Sequence, residues 1–241
     1  MIELLISEIT RMNSGSCVLG LEARNPGFRS LRPIPLTSSA WPAFPYRRAD
    51  KVAFQLSMMP VIEPHVEDRV VTSHRKLSAV PENELVHCLK QAEVANSIKD
   101  LFGCQLQQSR LGSDAVFVNP ADAGRSICGC EVDGINFSFK FYPKIRASLV
   151  LASKETIRSL PVVDRDLIDF VEQLDRKIGS PADLRYRLER FFNSVYKSKV
   201  MSSPIKFARI GLTRPYKGDS CWLMLDSLFP LPRCEWQEEF K

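Results

Sequence analysis

The sequence predicts a mainly β fold with helical additions, an α+β arrangement built around small barrels, and three observations carry that expectation. Strict alternation of apolar and polar residues recurs. In "KVAFQLSM", Val52, Phe54, Leu56 and Met58 share one face while Lys51, Ala53, Gln55 and Ser57 share the other, and "INFSFKFY" repeats the pattern with Ile135, Phe137, Phe139 and Phe141. Turns at "MNSGS", "VDGI" and "YKGDS" cut the chain into short strands by supplying glycine or asparagine where φ turns positive, and repeated short strands with sharp turns suggest small barrels. Helical periodicity is confined to two blocks.

Taken in order, "MIELLISEI" and "SCVLGLEAR" read as strands. Glu3 and Glu8 stand where a signal peptide needs basic and then purely apolar residues, and no apolar run reaches the roughly 18 residues of a membrane span, so a soluble, cytoplasmic chain without membrane attachment is expected. The segment "GFRSLRPIPL" (27–36) is extended, because Pro33 and Pro35 remove two backbone donors and hold their neighbours out of the helical region. It reads as neither a helix interior nor a central strand, with Arg32 fixed at a stiff strand exit. The Pro- and Arg-rich loop 33–48 is expected to cap one barrel mouth.

The first helical block spans 82–102, with Leu85, Leu89, Ala92, Ile98, Leu101 and Phe102 as its apolar stripe and Gly103 as its stop. "DAVFVN" and "IRASLVLA" are further strands. In the second block Asp164 caps a helix bearing Leu167, Val171, Leu174 and Ile178, Gly179 ends it, and "SPAD" restarts with Ser180 as cap and Pro181 in the first turn. The second arm of this hairpin turns Leu184, Leu188, Phe192 and Val195 inward and gathers Arg187, Arg190 and Lys197 into a basic stripe. "KFARIGLT" and "CWLMLDSL" close the chain as strands. The organisation is thus a first barrel over 1–80, a helical connection over 81–110, and a second barrel over 111–241 with a helical hairpin inserted at about 164–199.

A chain of 241 residues, 44% hydrophobic, supplies a real core. Its net charge of +5 is uneven: residues 140–220 hold 17 Lys and Arg against 9 Asp and Glu, while the remainder is slightly acidic. That asymmetry is the footprint of a polyanion-binding face, and a solvated surface shows milder versions of it. The seven cysteines lack paired C-x-x-C units, so buried free thiols are expected, and the C-x-C of Cys128 and Cys130 has neither a second pair nor a nearby histidine for zinc.

Signatures of nucleotide hydrolysis, dinucleotide binding, serine hydrolysis and zinc proteolysis are absent. His65, Glu67 and Asp68 in "EPHVED" form an acid/base or metal-type group only if the loop converges them, and they equally read as a strand-to-loop transition bonded to its own backbone. Asp164, Asp166 and Asp169 raise a metal-dependent nuclease, yet acidic residues at a helix start need no metal. No catalytic role, metal or cofactor is therefore expected.

A binding role remains. Arg29 and Arg32 lie beside Phe28, Lys140, Lys144 and Arg146 surround "FYP", and Arg209 precedes "LTRPYKG" with Arg214, Tyr216 and Lys217. Phosphates are held by Lys and Arg, and unstacked bases by aromatic faces; Tyr142 and Tyr216 suit stacking better than the core-facing Phe137, Phe139 and Phe141. The leading expectation is a non-catalytic protein that binds single-stranded or guide-like nucleic acid, DNA or RNA, through these residues and the stripe of Arg187 and Arg190. The alternative is an adaptor subunit of a larger assembly, docking on a protein partner through the helical hairpin and the apolar tail with Leu228, Phe229, Leu231 and Trp236.

"LLISEITRMNSGSCVLGLEARNPGFRSLRPIPL", "PHVEDRVV", "IKDLFGCQL", "YPKIRASLVL" and "GLTRPYKGDSCWLML" together resemble, in order along nearly the whole chain, the dual OB-containing domain family of bacterial proteins. The resemblance implies two OB-like barrels and a nucleic-acid-related role connected with defence against mobile DNA. It points to Arg11, Arg32, His65, Glu67, Asp68, Lys144, Arg146 and Arg214 as matching positions, without saying whether they bind or hold the fold. For Arg32 the alternatives are contact with a ligand or a bidentate pair with a carboxylate such as Glu67 or Asp68.

Overall fold

Strands β1 (Ile2–Met12), β2 (Gly15–Ala23), β3 (Phe28–Pro35), β4 (Asp50–Leu56) and β5 (Asp68–Ala79) close a barrel in the order β1-β2-β3-β5-β4, in which only β3 and β5 run parallel. This is the circuit of a five-stranded OB-type barrel. The computed structural model describes residues 1–12, 15–36, 38, 40–57, 65–108, 115–176, 181–215 and 220–240. Inward alternation builds the barrel core from Leu4, Ile6, Val18, Leu31, Val52 and Phe54. Trp41 and Phe44, between β3 and β4, plug its mouth, with the Trp41 indole N–H donating to the Pro33 carbonyl at 2.8 Å. Leu56, expected inside, is exposed, and Met58 lies outside the described residues.

The segment 27–36 does occupy an interior place in the barrel, between β2 and β5, contrary to the sequence reading. Its β2 pairing ends at Leu31 and its β5 pairing starts at Arg32, whose amide donates to the Glu67 carbonyl at 2.8 Å. Alternate residues face the same neighbour, so Pro33 and Pro35 turn their nitrogens to the side that β2 has already left. The prolines therefore remove no ladder bond.

Helix α1 (Glu82–Leu89) buries Leu85, Val86, Cys88 and Leu89, and ends there rather than at Phe102. Beyond it, β6 (Val94–Ala95) pairs in parallel with Gly129 and Cys130, and a single 3₁₀ turn covers Ile98–Asp100. The apolar stripe of 82–102 was intermittent because the sheet edge supplies those backbone partners. Leu101 and Phe102 are buried nonetheless.

After β7 (Gln107–Gln108) and β8 (Val116–Val118), strands β9 (Ile127–Phe141), β10 (Lys144–Leu151) and β11 (Thr156–Pro161) form a meander, and β9 also pairs with β12 (Phe207–Leu212), which pairs with β13 (Cys221–Phe229). The result is a curled half-barrel sheet. A parallel bridge between Val162, just past β11, and Leu225 brings the β11 edge back onto β13, so that β9-β10-β11-β13-β12 repeats the strand order of the first barrel. Phe137 and Phe139 point into its core, and the Phe141 side chain is outside what the structure describes.

Between β11 and β12 the chain is helical: α2 (Arg165–Asp175), α3 (Pro181–Phe191) and α4 (Lys197–Ser202), the last two joined by a π turn over Phe192–Tyr196. Asp164 caps α2 by accepting from the amides of Asp166 and Leu167. Ile178, Gly179 and Ser180 lie outside the described residues. Leu184, Leu188 and Phe192 are buried as the periodicity predicts, but the wider π turn rotates the face so that Tyr196 rather than Val195 is fully inside.

The two barrels share an apolar seam in which Leu5 and Leu21 of the first meet α1 and Phe207 and Phe229 of the second. The apolar tail belongs to this interior: Leu228 and Phe229 are buried, Leu231 packs on the seam, and Trp236 lies against Tyr196. It forms no exposed docking patch, which corrects the feature that suggested an adaptor. Among the described residues no helix is long and apolar enough to cross a membrane.

Candidate functional site

Among the described residues, three buried guanidinium clusters bind the barrels to each other. In the first, Arg32 of β3 donates through Nη1 to Asp68 Oδ1 (2.8 Å) and His65 Nδ1 (2.9 Å), and through Nη2 to Ser126 Oγ (3.1 Å). Ser126, just before β9, returns its amide and hydroxyl to the Glu67 carboxylate, both at 2.8 Å, and Arg214 of the second barrel reaches Asp68 Oδ2 at 2.6 Å. Arg32 thus meets a carboxylate, Asp68 rather than Glu67, through one Nη1–Oδ1 contact rather than a bidentate pair. Because Arg32 donates to Nδ1, the His65 proton sits on Nε2, and burial followed by the Arg32 charge pushes its pKa down to about 4.

In the second cluster Arg209 of β12, with no exposed surface, donates through Nε to Glu8 Oε1 (2.8 Å) and through Nη2 to Ser30 Oγ (2.6 Å), while Ser30 donates onward to Glu93. In the third, Arg48 pairs with Asp164 (2.7 Å) and Asp166 (3.0 Å), and Asp164 also accepts from the Leu228 amide. Burial opposes the charge on Arg48, but the two aspartates outweigh it and hold the guanidinium above its ordinary pKa. Asp164 and Asp166 thereby serve a helix cap and an ion pair, and Asp169 pairs with Arg11 at 2.6 Å.

Arg32 Nε, Arg48 Nε and Nη1, and His65 Nε2 are buried polar atoms left without a partner, and Asp226 adds a carboxyl oxygen to them. Buried in β13, it has no hydrogen-bond partner at Oδ1, and it is the extra residue where the β12–β13 register shifts between Arg209/Ser227 and Ile210/Leu225. Such a bulge re-aims a side chain. Gly211 opposite makes room for it, since a Cβ there would stand 2.1 Å from Asp226 Oδ2. Burial outweighs the nearby Arg32 and raises the Asp226 pKa to about 8, with Glu8 adding to the rise.

Asp226 lines a partly open cavity of about 180 Å³ between the barrels. Thr10 and Met12 from the end of β1, Cys17 of β2 and His65 from the approach to β5 contribute from the first barrel; Leu212, Thr213, Arg214 and Met224 contribute from the second. Its walls are mainly apolar, with Arg32 and Asp226 inside and the half-exposed Arg214 among the lining residues.

The other expected binding residues scatter. Arg11 is held by Asp169 and Glu172, Arg29 by Glu22 (2.7 Å), Arg146 by the Ser159 carbonyl (2.8 Å), and Arg187 by the Phe240 carbonyl (2.9 Å) while lying over its ring. Arg209 is sealed in the interior. Lys140, Lys144 and Arg190 are exposed, whereas Tyr216 and Lys217 lie outside the described residues. Tyr142 donates to Asp175 at 2.7 Å, which ties it to α2. Cys128 and Cys130 are buried in β9, and no group of three or more His, Cys, Asp and Glu side chains is placed to hold a metal ion among the described residues. A second groove, about 530 Å³, runs beside β3 with Arg29, Arg69 and Arg125 on its walls.

Sequence reasoning missed Asp226, Cys17, Met12 and Met224. The signal for Asp226 was present: a lone acid inside "CWLMLDSL", a strand otherwise apolar up to that point. Comparison with protein-family models, with curated proteins and with solved structures finds no match.

Proposed function

We propose that this protein is a non-catalytic binder of single-stranded or guide-like nucleic acid, a dual-barrel protein of the kind the dual OB-containing domain resemblance implies, acting in bacterial defence. The observation that carries the reading is the convergence of loop edges on one cavity. Five-stranded barrels of this order bind oligonucleotides at their strand 2–3 face and at the loops joining strands 1–2 and 4–5. Here the β1–β2 and β4–β5 edges of the first barrel and the β12–β13 edge of the second line the same opening. Arg214 uses one N–H on Asp68 and keeps others for a phosphate. Exposed Lys144 and Arg190, and the arginine-walled groove beside β3, supply further positive surface.

The ion pairs among the arginines lower the number of cations left for phosphate. With about four phosphates neutralised on a single strand, log K falls against log salt with a slope of about −3. Fluorescence anisotropy of short single-stranded DNA, single-stranded RNA and duplex across a salt series tests this. Single-strand preference, that slope and a weaker Arg214→Ala variant support the reading; absence of binding at low salt overturns it and directs the search to a protein partner.

A further inference from the structure

We infer that the inter-barrel cavity is a base pocket, taking one pyrimidine ring extruded from the bound strand, with the Asp226 carboxyl reading its hydrogen-bonding edge. The inference rests on the nucleic-acid reading and adds to it the part of the ligand recognised and the residue that recognises it. Three observations converge. A closed cavity of about 150 Å³ accommodates one benzene ring, so about 180 Å³, open on one side, matches a substituted six-membered ring better than a fused purine. The walls that would sandwich such a ring are Met12, Val163, Leu212 and Met224, and thioethers make favourable contact with aromatic rings.

The third observation is the carboxyl itself. A buried polar atom without a partner is costly, and native structures retain few of them. Asp226 Oδ1 is one such atom, as are Arg32 Nε and His65 Nε2 beside it, and the Asp226 carboxyl lines the cavity from a bulge where Gly211 leaves it room. Burial keeps its proton on at neutral pH, so the group offers one O–H donor and one carbonyl acceptor side by side. That pair matches cytosine, donating to ring N3 and accepting from the exocyclic amine, and equally uracil or thymine, donating to O4 and accepting from N3–H. Arg214, also lining the cavity, is placed for the phosphate of the extruded nucleotide.

The test compares octamers of dC, dT, dA and abasic sites by anisotropy, with the Asp226→Asn, Asp226→Leu and Met12→Trp variants. Wild type should bind dC and dT at least tenfold tighter than dA or the abasic strand. Asn, which keeps a donor and an acceptor, should preserve that preference. Leu should erase it, and Met12→Trp, at a half-exposed position, should erase it by filling the cavity even if the Leu variant fails to fold. Equal binding of all four strands, or a pyrimidine preference that survives both blocking variants, overturns the pocket while leaving strand binding intact. If no strand binds, the parent reading fails by itself, and titration with cytidine and uridine monophosphate, followed by methionine-methyl NMR, still decides the pocket: shifts at Met12 and Met224 uphold it, and still signals overturn it.

Discussion

Replacing Glu8 with alanine strands the Arg209 guanidinium in the interior. Both side chains have no exposed surface, and among the described residues the Nε bond of 2.8 Å is the only carboxylate contact Arg209 makes directly. What remains is Ser30 Oγ at 2.6 Å and the Glu93 carbonyl at 3.4 Å, with the Glu93 carboxylate one hydrogen bond further away through Ser30. Breaking one side of a buried ion pair costs about 3–5 kcal/mol, and Glu93 places this case at the lower end, about 3 kcal/mol. For a chain of this size that is a fall in Tm of about 6–12 °C. Urea unfolding and thermal melts followed by circular dichroism read the change, with a Glu8→Met, Arg209→Met double variant alongside. Since well-packed apolar residues often replace a buried pair at little cost, the double variant should recover most of the loss. A single-variant loss under about 1 kcal/mol, or a double variant no better than the single, would refute the view that this pair clamps the barrels.

Three further outcomes follow from the same geometry. Gly211→Ala drives a methyl group into the Asp226 carboxyl in a strand that cannot shift freely, so it should destabilise by about 1–3 kcal/mol, and a double-variant cycle with Asp226→Ala should show coupling between the two sites. Folded Asp226 keeps its proton to about pH 8 whereas the unfolded chain releases it near pH 4, so its contribution to stability declines as pH rises through that range. His65, held near 4, acts in the opposite sense below about pH 6.5. Between pH 6.5 and 8 the His65 charge no longer changes, while Asp164, also raised by burial, is common to both proteins, so the comparison with Asp226→Asn reads Asp226 among Glu8, Arg32, Arg209 and Asp164: the variant should gain about 2 kcal/mol on wild type across that window, and parallel curves would refute it. Thiol titration should find Cys234 reacting fast in the native protein and all seven cysteines reacting in denaturant; fast native reaction of Cys128 or Cys130 would contradict their burial.

The strands were legible because alternation is local: Val52 and Phe54, or Phe137 and Phe139, declare their faces within a few residues. The Asp164 cap was legible for the same reason, since its partners are two and three residues away. The block 82–102 misled because its later part takes its backbone partners from β9, some 35 residues downstream. Arginine chemistry was the least legible. Arg209 and Glu8 meet across 201 residues, and Arg48 and Asp164 across 116, so spacing gives no hint that these charges face inward. The same blindness hid the cavity, whose walls come from β1, β2, β3, β12 and β13 and whose defining acid sits at a bulge that only strand pairing reveals.

The most direct measurement is photocrosslinking of a single strand carrying 4-thiothymidine, with the attachment sites mapped by mass spectrometry. The account predicts crosslinks at the shared edge of the barrels, on Met12, Cys17, Thr213 and Met224, lost when Met12 is replaced by tryptophan. Crosslinks confined to the helical face around Arg187 and Arg190, with the inter-barrel edge unlabelled, would contradict it.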